Sequence, residues 1–104
     1  MTTARANRYA AAANARATVA RLLILVATAV ALVLVAGILL VVLGANASND
    51  IVGAIRDAAK FLAGPFDGMF TLDDSKATVA VNWGIAAVVW YALGHTLARL
   101  LLRR

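Results

Sequence analysis

The stretch Leu22-Leu23-Ile24-Leu25-Val26-Ala27-Thr28-Ala29-Val30-Ala31-Leu32-Val33-Leu34-Val35-Ala36-Gly37-Ile38-Leu39-Leu40-Val41-Val42-Leu43 decides how this chain is read. It runs for 22 residues without a charge, entered from Arg21 and left through Gly44. As an α-helix it is about 33 Å long, against a bilayer hydrocarbon core of roughly 30 Å. Sixteen of its residues are Leu, Ile or Val. Each of these is favourable by roughly 0.3 to 0.6 kcal/mol at the centre of a bilayer helix, so the segment inserts without help from a partner.

The rest of the composition agrees. Of 104 residues 63% are hydrophobic, mean hydropathy is +0.86, and 14% are charged, against about 25% for a soluble domain. A water-soluble core of this size cannot hide so much apolar surface. There is no cysteine, which excludes disulfides, thiolate zinc sites and thiol nucleophiles. One histidine, His95, cannot build a histidine-cluster metal site in a single chain. Asp73 and Asp74 are adjacent acids at a helix start, where they point different ways and serve as caps. The expectation is therefore a protein that is not an enzyme and holds no cofactor, with no small-molecule substrate evident. A formal net charge of +5 would hint at nucleic acid in a soluble protein. Here the arginines flank apolar spans, so they are read as orientation signals and no nucleic-acid partner is expected. Eight arginines against two lysines, with abundant alanine, point to a GC-rich bacterial genome.

A second segment, residues 77–98, carries no acid or base except His95 and ends at Arg99, Arg103 and Arg104. It holds seven Leu, Ile or Val residues and also Thr78, Asn82 and Thr96, so its insertion is marginal. Its flanks favour spanning. Thr71-Leu72-Asp73-Asp74 has capping-box spacing, and the arginines sit at the end where the helix dipole prefers cations. Arg5, Arg8, Arg16 and Arg21 precede the first span, while the 44–76 connector sets Arg56, Lys60 and Lys76 against five aspartates. Basic ends and an acidic connector place both termini in the cytoplasm and the connector outside, in a bacterial inner (plasma) membrane. Arg21, Arg56, Lys60, Arg99, Arg103 and Arg104 are the candidates for contact with lipid headgroups. A rival reading takes Ala45-Asn46-Ala47 as a signal-peptide cleavage site. The apolar run exceeds the roughly 7 to 15 residues of such a segment, which favours an uncleaved anchor.

Residues 1–21 form a basic arm rich in Ala and Arg. If helical, it carries Arg5, Arg8 and Arg16 on one face; the alternative is a solvated tail whose arginines only enforce orientation. In the connector, Ser48-Asn49-Asp50 supplies caps, and Ile51, Ile55, Ala59 and Leu62 recur at helical spacing until Gly64-Pro65. With Arg56, Asp57 and Lys60 on the other face, this predicts an amphipathic helix over about residues 50–63, lying in the outer interface with its apolar side towards the acyl chains. Re-entry into the bilayer is the alternative. It needs protein to satisfy non-helical backbone at depth.

For contacts between helices, Ala80, Gly84 and Ala87 form a stripe of small residues beside Asn82, with Gly37 (and Ala29 or Ala36) as complementary positions on the first span. Trp83 reads as a boundary anchor; Trp90 and Tyr91 lie deeper, where packing must account for them. The order of span, Phe61-Leu62-Ala63-Gly64-Pro65-Phe66, Asp73-Asp74 and second span resembles small uncharacterised two-span membrane proteins of actinobacteria. More loosely, it is similar to one half of YggT-type membrane proteins. That resemblance implies an inner-membrane protein without assigned chemistry and transfers no functional residue.

The expected fold is an all-α membrane protein, a two-helix transmembrane hairpin with an interfacial amphipathic helix in its connector and a basic cytoplasmic tail at 99–104. The expected role is a non-enzymatic accessory, organising or complex-subunit one, with the lipid bilayer, a homo-oligomer or a larger membrane complex as partner. The alternative is an oligomeric pore-former of the phage holin type. A proton-coupled transporter is disfavoured because neither span contains Asp or Glu.

Overall fold

The structure is a computed structural model that describes residues 2–46 and 48–103, with side chains from residue 7 onward. Ala47 and Arg104 lie outside the described residues, as does the side chain of Arg5. Among the described residues 85% are helical and none is in a strand. The elements are α1 (Thr2–Val42), α2 (Asp50–Ala63), a single 3₁₀ turn (Gly64–Phe66) and α3 (Ser75–Arg103). Both α1 and α3 are long and apolar enough to cross a membrane.

Helix α1 is unbroken over 41 residues. At about 1.5 Å per residue it accounts for nearly all of the molecule's longest dimension, which is 67 Å. The basic arm is thus a continuation of the apolar helix. Alanine has the highest helix propensity of any residue, and the arm extends a helix that the apolar run has already nucleated. The threonine hydroxyls return to the backbone: Thr18 donates to the Asn14 carbonyl (2.9 Å) and Thr28 to the Ile24 carbonyl (2.7 Å). Thr28 therefore presents no free donor within the apolar run.

Helices α1 and α3 pack antiparallel, with Gly37 beside Trp83 near the connector end and Ala27 beside Gly94 towards the termini. Both contacts require a missing Cβ. One added at Gly94 would run into the Ala27 side chain and come within 3.0 Å of the Leu23 carbonyl oxygen. Ala20 and Ala98 are also buried at this end, whereas residues 7–15 are all exposed, so the arm projects past the hairpin. The two ends are tied where α1 stops: the Lys76 ammonium donates to the Val42 carbonyl (3.4 Å), placing a cation at the negative end of the α1 dipole.

Helix α2 starts as its sequence dictates. The Asn49 side chain accepts from the backbone N–H groups of Ile51 (2.9 Å) and Val52 (3.3 Å), and Asp50 occupies the positive first turn. It stops at Gly64, whose φ of 51° lies in the region that favours glycine, with Pro65 next. Its apolar face is covered by protein: Ala59 and Ala63 are fully buried in a cluster with Leu34, Trp83, Ala86 and Ala87. That leaves Ile51 and Phe61 as its outward apolar surface, Phe61 at 82% exposure.

Candidate functional site

The site most developed in this chain is the seat of the connector on the hairpin. Helix α2 descends along α1 from the level of Val41, where both line one cavity with Gly53, to that of Leu34, against which Ala59 and Ala63 are buried. Gly37 makes the descent possible. A Cβ there would fall 2.6 Å from the Ala59 Cβ and 2.9 Å from Trp83 Cζ3, closer than atoms tolerate, so this glycine is the notch into which both neighbours fit. At the lower end the Trp90 indole N–H donates to the Leu62 carbonyl (2.8 Å), one of the last carbonyls of α2. Trp90 is fifteen residues beyond Ser75, about 22 Å along the helix axis. The Gly64–Phe66 turn thus lies well down the hairpin, and the chain must climb back to reach Ser75.

That return segment, 67–74, is irregular, and hydrogen bonds with α3 hold it in order. The Trp83 indole N–H donates to Asp67 Oδ1 (3.1 Å). Asn82 makes a reciprocal pair with Phe70, accepting from its N–H (3.0 Å) and donating to its carbonyl (2.9 Å). Thr78 Oγ1 accepts from the Leu72 N–H (2.9 Å) and its hydroxyl donates to the Asp74 carbonyl (2.9 Å). Asp74 Oδ1 then accepts from the Lys76 N–H (3.0 Å) to start α3. Thr78 and Asn82, two of the three polar residues that weaken 77–98 as an apolar span, are thus among those that hold the connector.

The predicted contact residues divide accordingly. Gly37 and Ala87 lie in the packed centre, and Asn82 is 1% exposed. The partner of Asn82 is connector backbone rather than a facing helix. Ala80 is half-buried, and Gly84 takes no part in the contact with α1, since a Cβ there meets nothing within 4 Å. Gly94 and Ala27 supply the close approach instead; Ala29 is exposed and Ala36 half-buried. Trp83 is buried core, not a boundary anchor. His95 stacks on Tyr91 with ring centroids 4.2 Å apart, and its buried Nε2 has no hydrogen-bond partner among the described residues.

Of the cationic candidates, Arg21, Arg99 and Arg103 are exposed near the terminal end of the hairpin. Arg56 and Lys60 are elsewhere. Together with Asp57 of α2 and Asp67 of the return segment they line a cavity of about 460 Å³, walled by Val41, Val79 and Trp83. Arg56 and Asp67 are half-buried there, Asp57 and Lys60 exposed. No group of three or more potential metal-ligating His, Cys, Asp or Glu residues occurs among the described residues.

The chain matches no family model, no curated protein and no solved structure. The geometry above therefore carries the functional reading.

Proposed function

We propose that this chain is a two-span protein of the bacterial plasma membrane with both termini cytoplasmic. In this reading its connector folds back into the hairpin from the outer side, and its role is that of a non-enzymatic organising or accessory subunit. The observation that carries this reading is the direction of the polar groups in α3. Thr78, Asn82 and Trp83 bond to the return segment, which leaves exposed Leu25, Leu32, Val35 and Leu39 on α1 and Val88, Leu93 and Leu97 on α3 as the outer surface. A soluble monomer rarely exposes an apolar patch beyond about 600 Å². The core helix of a soluble protein would be mostly buried, whereas the most apolar windows of α1 and α3 are buried over only 17% and 22% of their residues.

Asn82 and Thr78 satisfy backbone groups of Phe70, Leu72 and Asp74 from within the protein, as irregular backbone at membrane depth requires. These bonds favour re-entry over a helix resting flat on the interface. The hairpin seam is closed at Gly37 and Gly94, which supports a scaffold over a pore within one chain. The exposed arm, with Arg8 beyond the end of the hairpin, suits docking to a partner or to anionic headgroups on the cytoplasmic side. Induced expression tests this role. An intact membrane potential is expected, and rapid depolarisation with lysis would favour the holin-type reading.

A further inference from the structure

We propose that the cavity between α2 and the return segment binds the headgroup of a zwitterionic aminophospholipid, with phosphate against Arg56 and Lys60 and ammonium against Asp57 and Asp67. This inference rests on the membrane reading above. The cavity measures about 460 Å³ and its wall carries two cations and two carboxylates. The formal charges cancel, so a purely anionic ligand would leave the carboxylates facing like charge, and a bare cation would do the same to Arg56 and Lys60. A ligand bearing both signs satisfies both sets.

The placement of the charges is ordered. Arg56 and Lys60, at i and i+4, share one edge of α2 and are close enough to serve one anion, with Asp57 beside Lys60 at i and i+3. Asp67 comes from the opposite wall, where its bond from the Trp83 indole fixes the carboxylate. Depth fits as well. Val41 is the penultimate residue of α1, and Val79 lies one turn into α3, so the cavity reaches from the connector end of the hairpin, at headgroup level when the helices span, down to Trp83 one turn deeper on α3. Phe61, next to Lys60 and outward, offers apolar surface to an acyl chain. The ammonium should be primary. Its N–H groups can donate to carboxylates, whereas a quaternary ammonium is recognised by aromatic cages, and one tryptophan lines this cavity.

The test uses the full chain in vesicles of mixed phosphatidylethanolamine, phosphatidylglycerol and phosphatidylcholine, re-extracted in detergent, with retained lipids counted by native mass spectrometry. Phosphatidylethanolamine should be retained over both others by about five-fold, a factor within reach of a partly exposed ion pair. Asp57→Asn with Asp67→Asn should erase that preference while keeping the acceptor for Trp83; an unchanged Trp emission spectrum verifies the fold. Equal retention of the three lipids, a preference for phosphatidylglycerol, or a preference that survives the double substitution would overturn the proposal. Added phosphoethanolamine, the free headgroup, should leave the lipid bound; displacement at matched concentration would overturn a lipid as occupant. Flotation reads the membrane assignment separately. A chain that floats with the vesicles but shows no selectivity contradicts the headgroup site alone, and one that stays in the aqueous fraction contradicts both.

Discussion

The side-chain amide of Asn82 and the backbone of Phe70 are joined by two hydrogen bonds, 3.0 Å into the amide oxygen and 2.9 Å out of its nitrogen. The pair imitates one rung of a β-ladder, with a side chain standing in for the second strand. It fixes the register of the return segment on α3, and the neighbouring bonds at Trp83 and Thr78 follow from that register.

Replacing Asn82 by Leu keeps similar volume and strands both backbone groups of Phe70. These groups are part-buried, so the cost falls at the lower end of the roughly 1–3 kcal/mol of a buried unsatisfied group, about 1 kcal/mol each. The expected outcome is a lower unfolding midpoint in detergent, followed by tryptophan emission, because Trp83 loses the neighbours that shield it. A midpoint equal to that of the parent chain would mean that the return segment does not rest on α3.

Gly37→Ala puts a methyl group into the space held by Ala59 and Trp83. Overpacking of this kind costs about 1–3 kcal/mol. Ala59→Gly in the same chain removes the nearest obstructing carbon and should recover part of the loss. If the two substitutions add without interaction in thermal unfolding, α2 is not seated in this notch.

How much of this the residues announce depends on what kind of signal they carry. The Leu22–Leu43 run, the Asn49 cap and the Gly64-Pro65 stop are local features, and each lies within or bounds a helix at the expected place. The continuity of α1 through the alanine-rich arm was open, because propensity alone does not exclude fraying in a segment with no packing partner. The seat of α2 was harder to read. Periodicity identifies an apolar face but not whether lipid or protein covers it, and here Ala59 and Ala63 are covered by α1 and α3. The available hint was size: two alanines on α2 and a glycine at 37 allow backbones to approach closely. Asn82 was legible as a polar group in need of a partner. The partner, twelve residues earlier in the chain, is set by tertiary folding.

Trp90→Phe retains the ring and removes the indole N–H that holds the Leu62 carbonyl. The net loss is about 0.5–1.5 kcal/mol. It should be local, seen as faster amide hydrogen exchange over residues 60–66 with α1 unchanged. Unaltered protection there would show that Trp90 does not anchor the end of α2.

Gly84 faces open space, so enlarging it tests association without disturbing the hairpin. Gly84→Leu is expected to leave the unfolding midpoint near that of the parent chain and to shift sedimentation in detergent towards the monomer, because packed backbones are held apart. An unchanged oligomer size would remove Gly84 from the interface between copies.

The two crossings, with the connector entering from the outer side, are tested most directly by single-cysteine labelling in intact cells, in a chain that has no cysteine of its own. Positions 48 and 75, from Ser48→Cys and Ser75→Cys, should react with a membrane-impermeant maleimide before lysis, and position 18, from Thr18→Cys, only after it. Reaction at position 18 from outside, with positions 48 and 75 protected, would contradict the topology.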